Sequence, residues 1–554
     1  MTFDHLANPP FNLDSHGMAW VKERITSLSG DDRLRQLFNL VLFGTDSSKV
    51  EQLKAFRPGS ITRFDGADAA AERALIASLN NDLPTPLLVS ADLEGSRLGL
   101  SGAAEMPNPL GLAALDDIEA TAEVSRIMAE EARAAGINWS FTPVLDINAA
   151  FRSSIVATRG FGSDVAVIER HAITQMEVFQ KNGIASAVKH WPGEGFDDRD
   201  QHLLTTVNPL GMEDWENNFG RLYRQAIEAG VMSVMSAHIA LPSFVHSIVP
   251  DAGIEAFRPA SISRLLNDEL LRKRLGFNGL IVSDATPMAG LGSWSKRSEY
   301  LPELISSGCD IILFSDDRDA DLAYLKAALA DGRLSEERVD EALIRQLGLK
   351  AALGLHRPQQ SETSPAIEVA TERNSAYANA VSRRIPTLVK DIGRLLPLDP
   401  RKHRRVLVFS GDIVVPFWPG PQRFVLPEML EGYGFEVTMH TPEMEVETKD
   451  YDLLLYLLGD ETLLTRGRVF LDWLKLTGNF GKAMWRGWHD VPTVMISFGY
   501  PYLLYDAPRV PTYINAYSTT ETMQRAVLDA LLGKTPWNRN NPVDPFCGLA
   551  DARF

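Results

Sequence analysis

The segment from Lys189 to His202, KHWPGEGFDDRDQH, is the part of this 554-residue chain richest in side chains able to do proton chemistry. A Lys-His pair ends an apolar run, and the loop beyond it carries Asp200-Gln201-His202. An aspartate two residues ahead of a histidine can hold the imidazole in one tautomer and stabilise its protonated form, as a general acid/base needs near neutral pH. Further polar residues end other apolar runs: Asp92 and Glu94, Asp146 and Asn148, His238, and Asp284. Singly, each could be a strand-end group satisfied by a neighbouring loop, and Asp284 could cap the helix after it. Five such ends in succession point instead to one shared pocket.

The elements that would position them alternate. Short β-rich runs (60–64, 86–95, 138–148, 185–191, 231–240, 280–285 and 309–315) are separated by segments of helical length and spacing, among them Asp117 to Ala135, Val165 to Lys181 and Asp214 to Ala229. That order implies βα units and a parallel sheet. Seven strands are legible and an eighth could precede Ser60, so an α/β fold with a (β/α)8 barrel, complete or degenerate, is expected over an open sheet. In such a barrel the catalytic face lies at the carboxyl ends of the strands, where these polar residues fall. The barrel is assigned residues 1–355, and a Pro-, Ser-, Gln- and Glu-containing linker with its connecting helix residues 356–387. A smaller α/β sandwich is assigned 388–554, with strands at 404–411, 435–440, 451–460 and 491–499 and a final helix over 519–533.

Composition narrows the function. The 45% hydrophobic and 23% charged content is that of a soluble globular protein, and a formal net charge of −17 argues against nucleic acid or an anionic membrane as partner. A small neutral or cationic molecule fits that field better. Cys309 and Cys547 stand far apart, as in a reducing compartment without structural disulfides, and no run of about 18 apolar residues could cross a bilayer. The N-terminal stretch lacks a secretory pattern, so a cytoplasmic location is expected. His190 and His202 have no evident third ligand, so neither a metal nor another cofactor is expected. Trp139, Trp191 and Trp294 could stack on a flat ligand face, but packing roles are expected. Oligomeric state is not legible.

Four blocks carry a family resemblance. Asp92-Leu93-Glu94-Gly95 with Arg97, Arg159-Gly160-Phe161-Gly162, KHWPGEG, and Val282-Ser283-Asp284 together resemble glycoside hydrolase family three, most closely its β-N-acetylglucosaminidase branch in the two-domain form. The resemblance implies an exo-acting β-N-acetylhexosaminidase that cleaves small glycans or cell-wall fragments by a retaining mechanism. It places the nucleophile on Asp284 and the acid/base on His202, held by Asp200. It also implies that Asp92 accepts from sugar hydroxyls and that Arg159, Lys189 and His190 donate to sugar oxygens, while Arg97 pairs with strand-end carboxylates. Asp146 and His238 either line the pocket or belong to an internal hydrogen-bond network.

Two positions depart from the branch: Glu194 replaces the second His of the KHFPGHG-like segment, and Leu100 stands where an additional Arg is frequent. Both bear on which sugar is taken. A neutral imidazole does not repel an anionic acceptor as a carboxylate would, so phosphorolysis stands beside hydrolysis, with hydrolysis favoured. The remaining alternatives are a β-glucosidase-type member using a carboxylate from the second domain, and a sugar-binding protein without turnover.

Overall fold

The computed structural model describes residues 2–64, 69–357, 367–415 and 420–554. Eight parallel strands close into a barrel in chain order: Phe38–Val41, Ser60–Thr62, Leu88–Ala91, Trp139–Ser140, Ala185–Trp191, Ser233–Ser236, Leu280–Ala285 and Ile311–Leu313, the last pairing with the first. The eighth strand thus precedes Ser60. Its sequence, FNLV, is interrupted by Asn39, whose amide donates to Ser90 Oγ (3.0 Å) and accepts from Thr62 Oγ1 (2.8 Å) inside the barrel.

The strands are apolar because helices cover their outer faces while side chains fill the lumen. Ala185–Trp191 is buried along its whole length, and Leu280–Ala285 up to its last residue. The covering helices begin where a side chain satisfies free backbone N–H groups. Asp117 accepts from Ala120 N ahead of Ile118–Ala134, and Asp164 from Ala166 N and Val167 N ahead of Val165–Lys181. Trp139 and Trp191 are fully buried core residues, and Trp294 packs under the Arg258 guanidinium.

At the amino-terminal face of the barrel the last helix, Glu336–Ala352, brings in a buried lysine. Lys350 Nζ donates to Thr85 Oγ1 (2.8 Å) and Gln36 Oε1 (3.3 Å), and burial pushes its ammonium from an ordinary 10.5 down to about 7.

Residues 358–366 of the expected linker lie outside the described residues; the connecting helix occupies Ile367–Ser382. A six-stranded sheet follows, in the spatial order Thr387–Asp391, Thr512–Asn515, Thr493–Ser497, Leu453–Asp460, Arg405–Val414, Glu436–Met439. All neighbours are parallel except the first pair. The four strands expected from the sequence are there, joined by two more at 387–391 and 512–515. The final helix is Glu521–Leu531, capped by Thr520, with Gly533 beyond its end at φ +71°.

This second unit packs on the catalytic end of the barrel. Asn108 Nδ2 donates to Tyr517 O (2.6 Å), Leu463 N to Ser154 O (3.1 Å) and Ser163 N to Pro542 O (3.1 Å). Arg97 turns outward into that seam and donates to Thr519 Oγ1 and Thr519 O, both at 3.0 Å. It therefore joins the two units rather than pairing with strand-end carboxylates, because those carboxylates already have other cations.

Candidate active site

Asp284 ends the strand Leu280–Ala285 and is 8% exposed. It does not cap a helix: the next helix, Ala289–Gly292, starts five residues on with Met288 at its cap position. One carboxylate oxygen accepts from Ala285 N at 2.7 Å. Burial pushes the Asp284 carboxyl up, but the imidazoles of His190, His238 and His202 around it more than offset this and hold it below the ordinary range. An ionised carboxylate, held rigidly and poorly hydrated, is a competent nucleophile.

The loop bearing His202 lies against the segment following Asp284. Ala289 N donates to His202 O (3.0 Å), Thr205 Oγ1 to Gly290 O (2.6 Å), and Thr206–Val207 pairs in parallel with Ile239–Ala240. Asp200 Oδ1 lies 2.7 Å from His202 Nδ1 and also accepts from His202 N (2.8 Å). That leaves the other ring nitrogen of a partly exposed imidazole free of the aspartate. Burial raises the Asp200 carboxyl, yet its hydrogen bonds and charge interaction with His202 lower it on balance, so it stays ionised behind the ring. Gln201, fully buried between the two, donates to Glu194 Oε2 (3.0 Å) and accepts from His238 N (3.2 Å).

Across the mouth lies a compact ion cluster. Arg159 binds Glu94 through two parallel contacts (2.8 and 2.9 Å), and Lys189 Nζ bridges Glu94 Oε1 (2.7 Å) and Asp92 Oδ1 (2.9 Å). Burial opposes the Glu94 charge, but Arg159 and Lys189 hold its carboxyl well below the usual range. Asp92 is the most exposed member, its side chain 26% accessible, and so is the one presented to a ligand.

Asp146 faces inward. Oδ1 accepts from His190 N (3.1 Å) and Glu194 N (2.9 Å), and Oδ2 lies 2.5 Å from His190 Nδ1, which fixes the imidazole of His190. His238 is also committed, with Nδ1 at 2.9 Å from Ser261 Oγ and Nε2 at 3.0 Å from Ala285 O. Of the two readings open for Asp146 and His238, these contacts are those of an internal network. Burial and the neighbouring Asp146 carboxylate push the Glu194 carboxyl well above its ordinary value. Leu100 is partly buried against the barrel core.

Asp146, His190 and Glu194 bring one donor atom each within 4.8 Å of one another, a grouping not foreseen when His190 and His202 were weighed as ligands. Both Asp146 oxygens are already used by His190 and the Glu194 backbone N–H, and Glu194 Oε2 by Gln201. Glu461 is a carboxylate of the second unit that reaches the barrel. It accepts from Thr519 N (2.7 Å), Thr519 Oγ1 (2.6 Å) and Ser96 Oγ (2.8 Å), and so works as a clamp between the units. Glu94 is among the strand-end residues expected at the pocket, though with no role assigned to it, whereas Glu461 is not expected there. Glu94 was visible inside the DLEG block, whereas nothing in the local sequence marks Glu461.

A closed barrel with an ionised aspartate, an imidazole-aspartate pair and a cation-carboxylate cluster at one mouth has the constellation of enzymes that cleave glycosidic bonds. Residues 31–349 match the N-terminal domain of glycosyl hydrolase family 3. The chain is 38% identical to a β-N-acetylglucosaminidase/β-glucosidase of Cellulomonas fimi, covering 99% of this chain and 100% of that protein. It is 32% identical to a β-hexosaminidase of Glaesserella parasuis serovar 5 over 46% of this chain and 71% of that one. Among solved structures, β-glucoside phosphorylase BglX bound to 2FGlc superposes with a TM-score of 0.90 at 31% identity, covering 99% and 100% of the two chains. A family 3 β-N-acetylglucosaminidase from Paenibacillus sp. str. FPU-7 shares the fold with a TM-score of 0.80 at 24% identity, covering 94% and 100%. The chain belongs to glycosyl hydrolase family 3. No helix among the described residues is long and apolar enough to cross a membrane.

Proposed function

We propose that this chain is an exo-acting, retaining enzyme that removes terminal β-linked N-acetylglucosamine, and with it β-glucose, from small glycans. Asp284 attacks the anomeric carbon while His202 protonates the leaving oxygen; the imidazole then deprotonates the acceptor that releases the sugar from Asp284. Asp200 holds the tautomer of His202 and stabilises its charge. Asp92 accepts from sugar hydroxyls, Lys189 and His190 donate to sugar oxygens, and Arg159 fixes the floor through Glu94. Asp146 and His238 support the walls. The carrying observation is the Asp200–His202 pair on a loop bound to the segment after Asp284, with Glu461 engaged elsewhere. That arrangement favours an imidazole acid over a carboxylate from the second unit. The same reading divides the chain into a barrel at 1–355, a connecting segment at 356–387 and a sandwich at 388–554, and places it in the cytoplasm, supported by two unpaired cysteines.

A second reading, phosphate in place of water as acceptor, is favoured by the full-length similarity to a β-glucoside phosphorylase. The imidazole presents no negative charge to an incoming anion, while Asp200 stays behind it. Turnover of aryl β-N-acetylglucosaminide and aryl β-glucoside with and without inorganic phosphate tests both readings. Free sugar as the product at millimolar phosphate supports hydrolysis, and sugar 1-phosphate as the main product replaces it with phosphorolysis. Much faster turnover of the glucoside would overturn the hexosaminidase assignment. Trapping with a 2-fluoro sugar must label a peptide containing Asp284.

A further inference from the structure

Asp200 is 1% exposed, and a buried carboxylate needs a partner for each oxygen. Oδ1 is taken by His202, whereas Oδ2 accepts from the backbone N–H of Thr465 at 2.8 Å. Thr465 belongs to the second unit, in the loop that follows the strand Leu453–Asp460 and is 265 residues away in sequence. Its φ is +64°, in the left-handed region that β-branched residues avoid. Conformations of that kind persist where the surroundings hold them, and they gather at functional sites. The loop is held just ahead of Thr465: Leu463 N donates to Ser154 O (3.1 Å), and Thr462 Oγ1 lies 3.2 Å from Thr158 Oγ1, both against the barrel.

We infer that the Thr465 N–H is a positioning group for the acid/base, so that the second unit completes a relay of Thr465 N–H, Asp200 and His202. The inference rests on His202 being the acid. Gln201 and Ala289 fix the loop backbone from the barrel side. The Thr465 N–H fixes the carboxylate plane, and with it the direction in which the imidazole presents its proton. Its loss leaves Asp200 Oδ2 to water or to a rotated carboxylate, and the acid then meets the leaving oxygen at a poorer angle. Thr465 touches no substrate and acts only through Asp200.

The test is the dependence of kcat/KM on leaving-group acidity across aryl β-N-acetylglucosaminides, from 2,4-dinitrophenyl to 4-methoxyphenyl. A good leaving group departs without a proton, whereas a poor one requires it. Thr465→Pro removes the N–H and is expected to lower kcat/KM for the 4-methoxyphenyl substrate by about 10- to 100-fold, with a change of less than about threefold for the dinitrophenyl one. Thr465→Gly keeps the N–H, suits a positive φ and should recover most of the lost rate. Replacing the backbone amide at position 465 by an ester, through an α-hydroxy acid incorporated there, removes the N–H without imposing the φ of proline, and must steepen the dependence in the same way. His202→Ala serves as the reference. If it does not steepen the dependence, the acid assignment fails. If it does while both variants lacking the N–H, folded by their melting transitions, keep the unsubstituted slope or lose rate equally on all substrates, the role of Thr465 is overturned.

Discussion

Replacing Lys350 by Met should stabilise the protein and remove part of its pH dependence. The ammonium is buried, its contacts are the neutral groups of Thr85 and Gln36, and its pKa falls from 10.5 to about 7. At about 1.4 kcal/mol per pH unit, that gap corresponds to about 4 kcal/mol of burial penalty at pH 7, where the folded form is half protonated. Met has a similar shape and no charge, and Thr85 Oγ1 keeps its hydrogen bond to Gln36 Oε1 at 2.6 Å. After about 1 kcal/mol for the lost amine hydrogen bond, a net gain of about 3 kcal/mol remains. Between about pH 7 and 10.5 the unfolded chain keeps a proton at Lys350 that the folded protein has released, so this group makes stability rise with pH through that window. Urea unfolding of the barrel, followed at pH 7 and pH 9.5, should show the Met variant more stable at pH 7 and the advantage shrinking at pH 9.5. Equal or lower stability at pH 7, or an advantage independent of pH, would refute the argument.

Other expectations follow from the site. Asp284→Ala should fold normally yet lose turnover by more than about a thousandfold, and the fluoro-sugar label should vanish in peptide mass spectra. Arg159→Met strips Glu94 of its bidentate partner and leaves Lys189 to compensate alone, so a loss of about 3 kcal/mol is expected in denaturant unfolding. Glu194 keeps its proton in the folded protein at pH values where the unfolded chain has lost it, so its contribution to stability falls as pH rises above about 4.5. Glu194→Gln can still accept from Gln201, and should flatten that decline when melting temperature is plotted against pH; an unchanged slope would count against a protonated Glu194.

Much of this was legible because barrels write themselves in apolar runs ended by polar residues. Asp92, Asp146, Lys189, His190, His238 and Asp284 all come from such ends and all arrive at one mouth. The first strand escaped because Asn39 faces a polar layer with Thr62 and Ser90, which breaks the apolar pattern over four residues. Arg97 was misplaced for a different reason. A guanidinium beside a DxEG block reads as a partner for nearby carboxylates, but those are already held by Arg159 from a loop and Lys189 from another strand. The Thr465 contact leaves no mark in composition, since a backbone N–H belongs to nearly every residue type. The pairing of Gln201 with Glu194 joins one motif residue to a departure from the family pattern, and only the folded loop shows that they meet.

The floor of the pocket balances itself: Arg159 and Lys189 are matched by Glu94 and Asp92 before any ligand arrives. A glycan bearing a uronate or sulfate there would find its natural counter-ions already occupied, in a protein whose overall field repels it. Discrimination against acidic saccharides would then need no dedicated barrier, only the refusal of two cations to change partners.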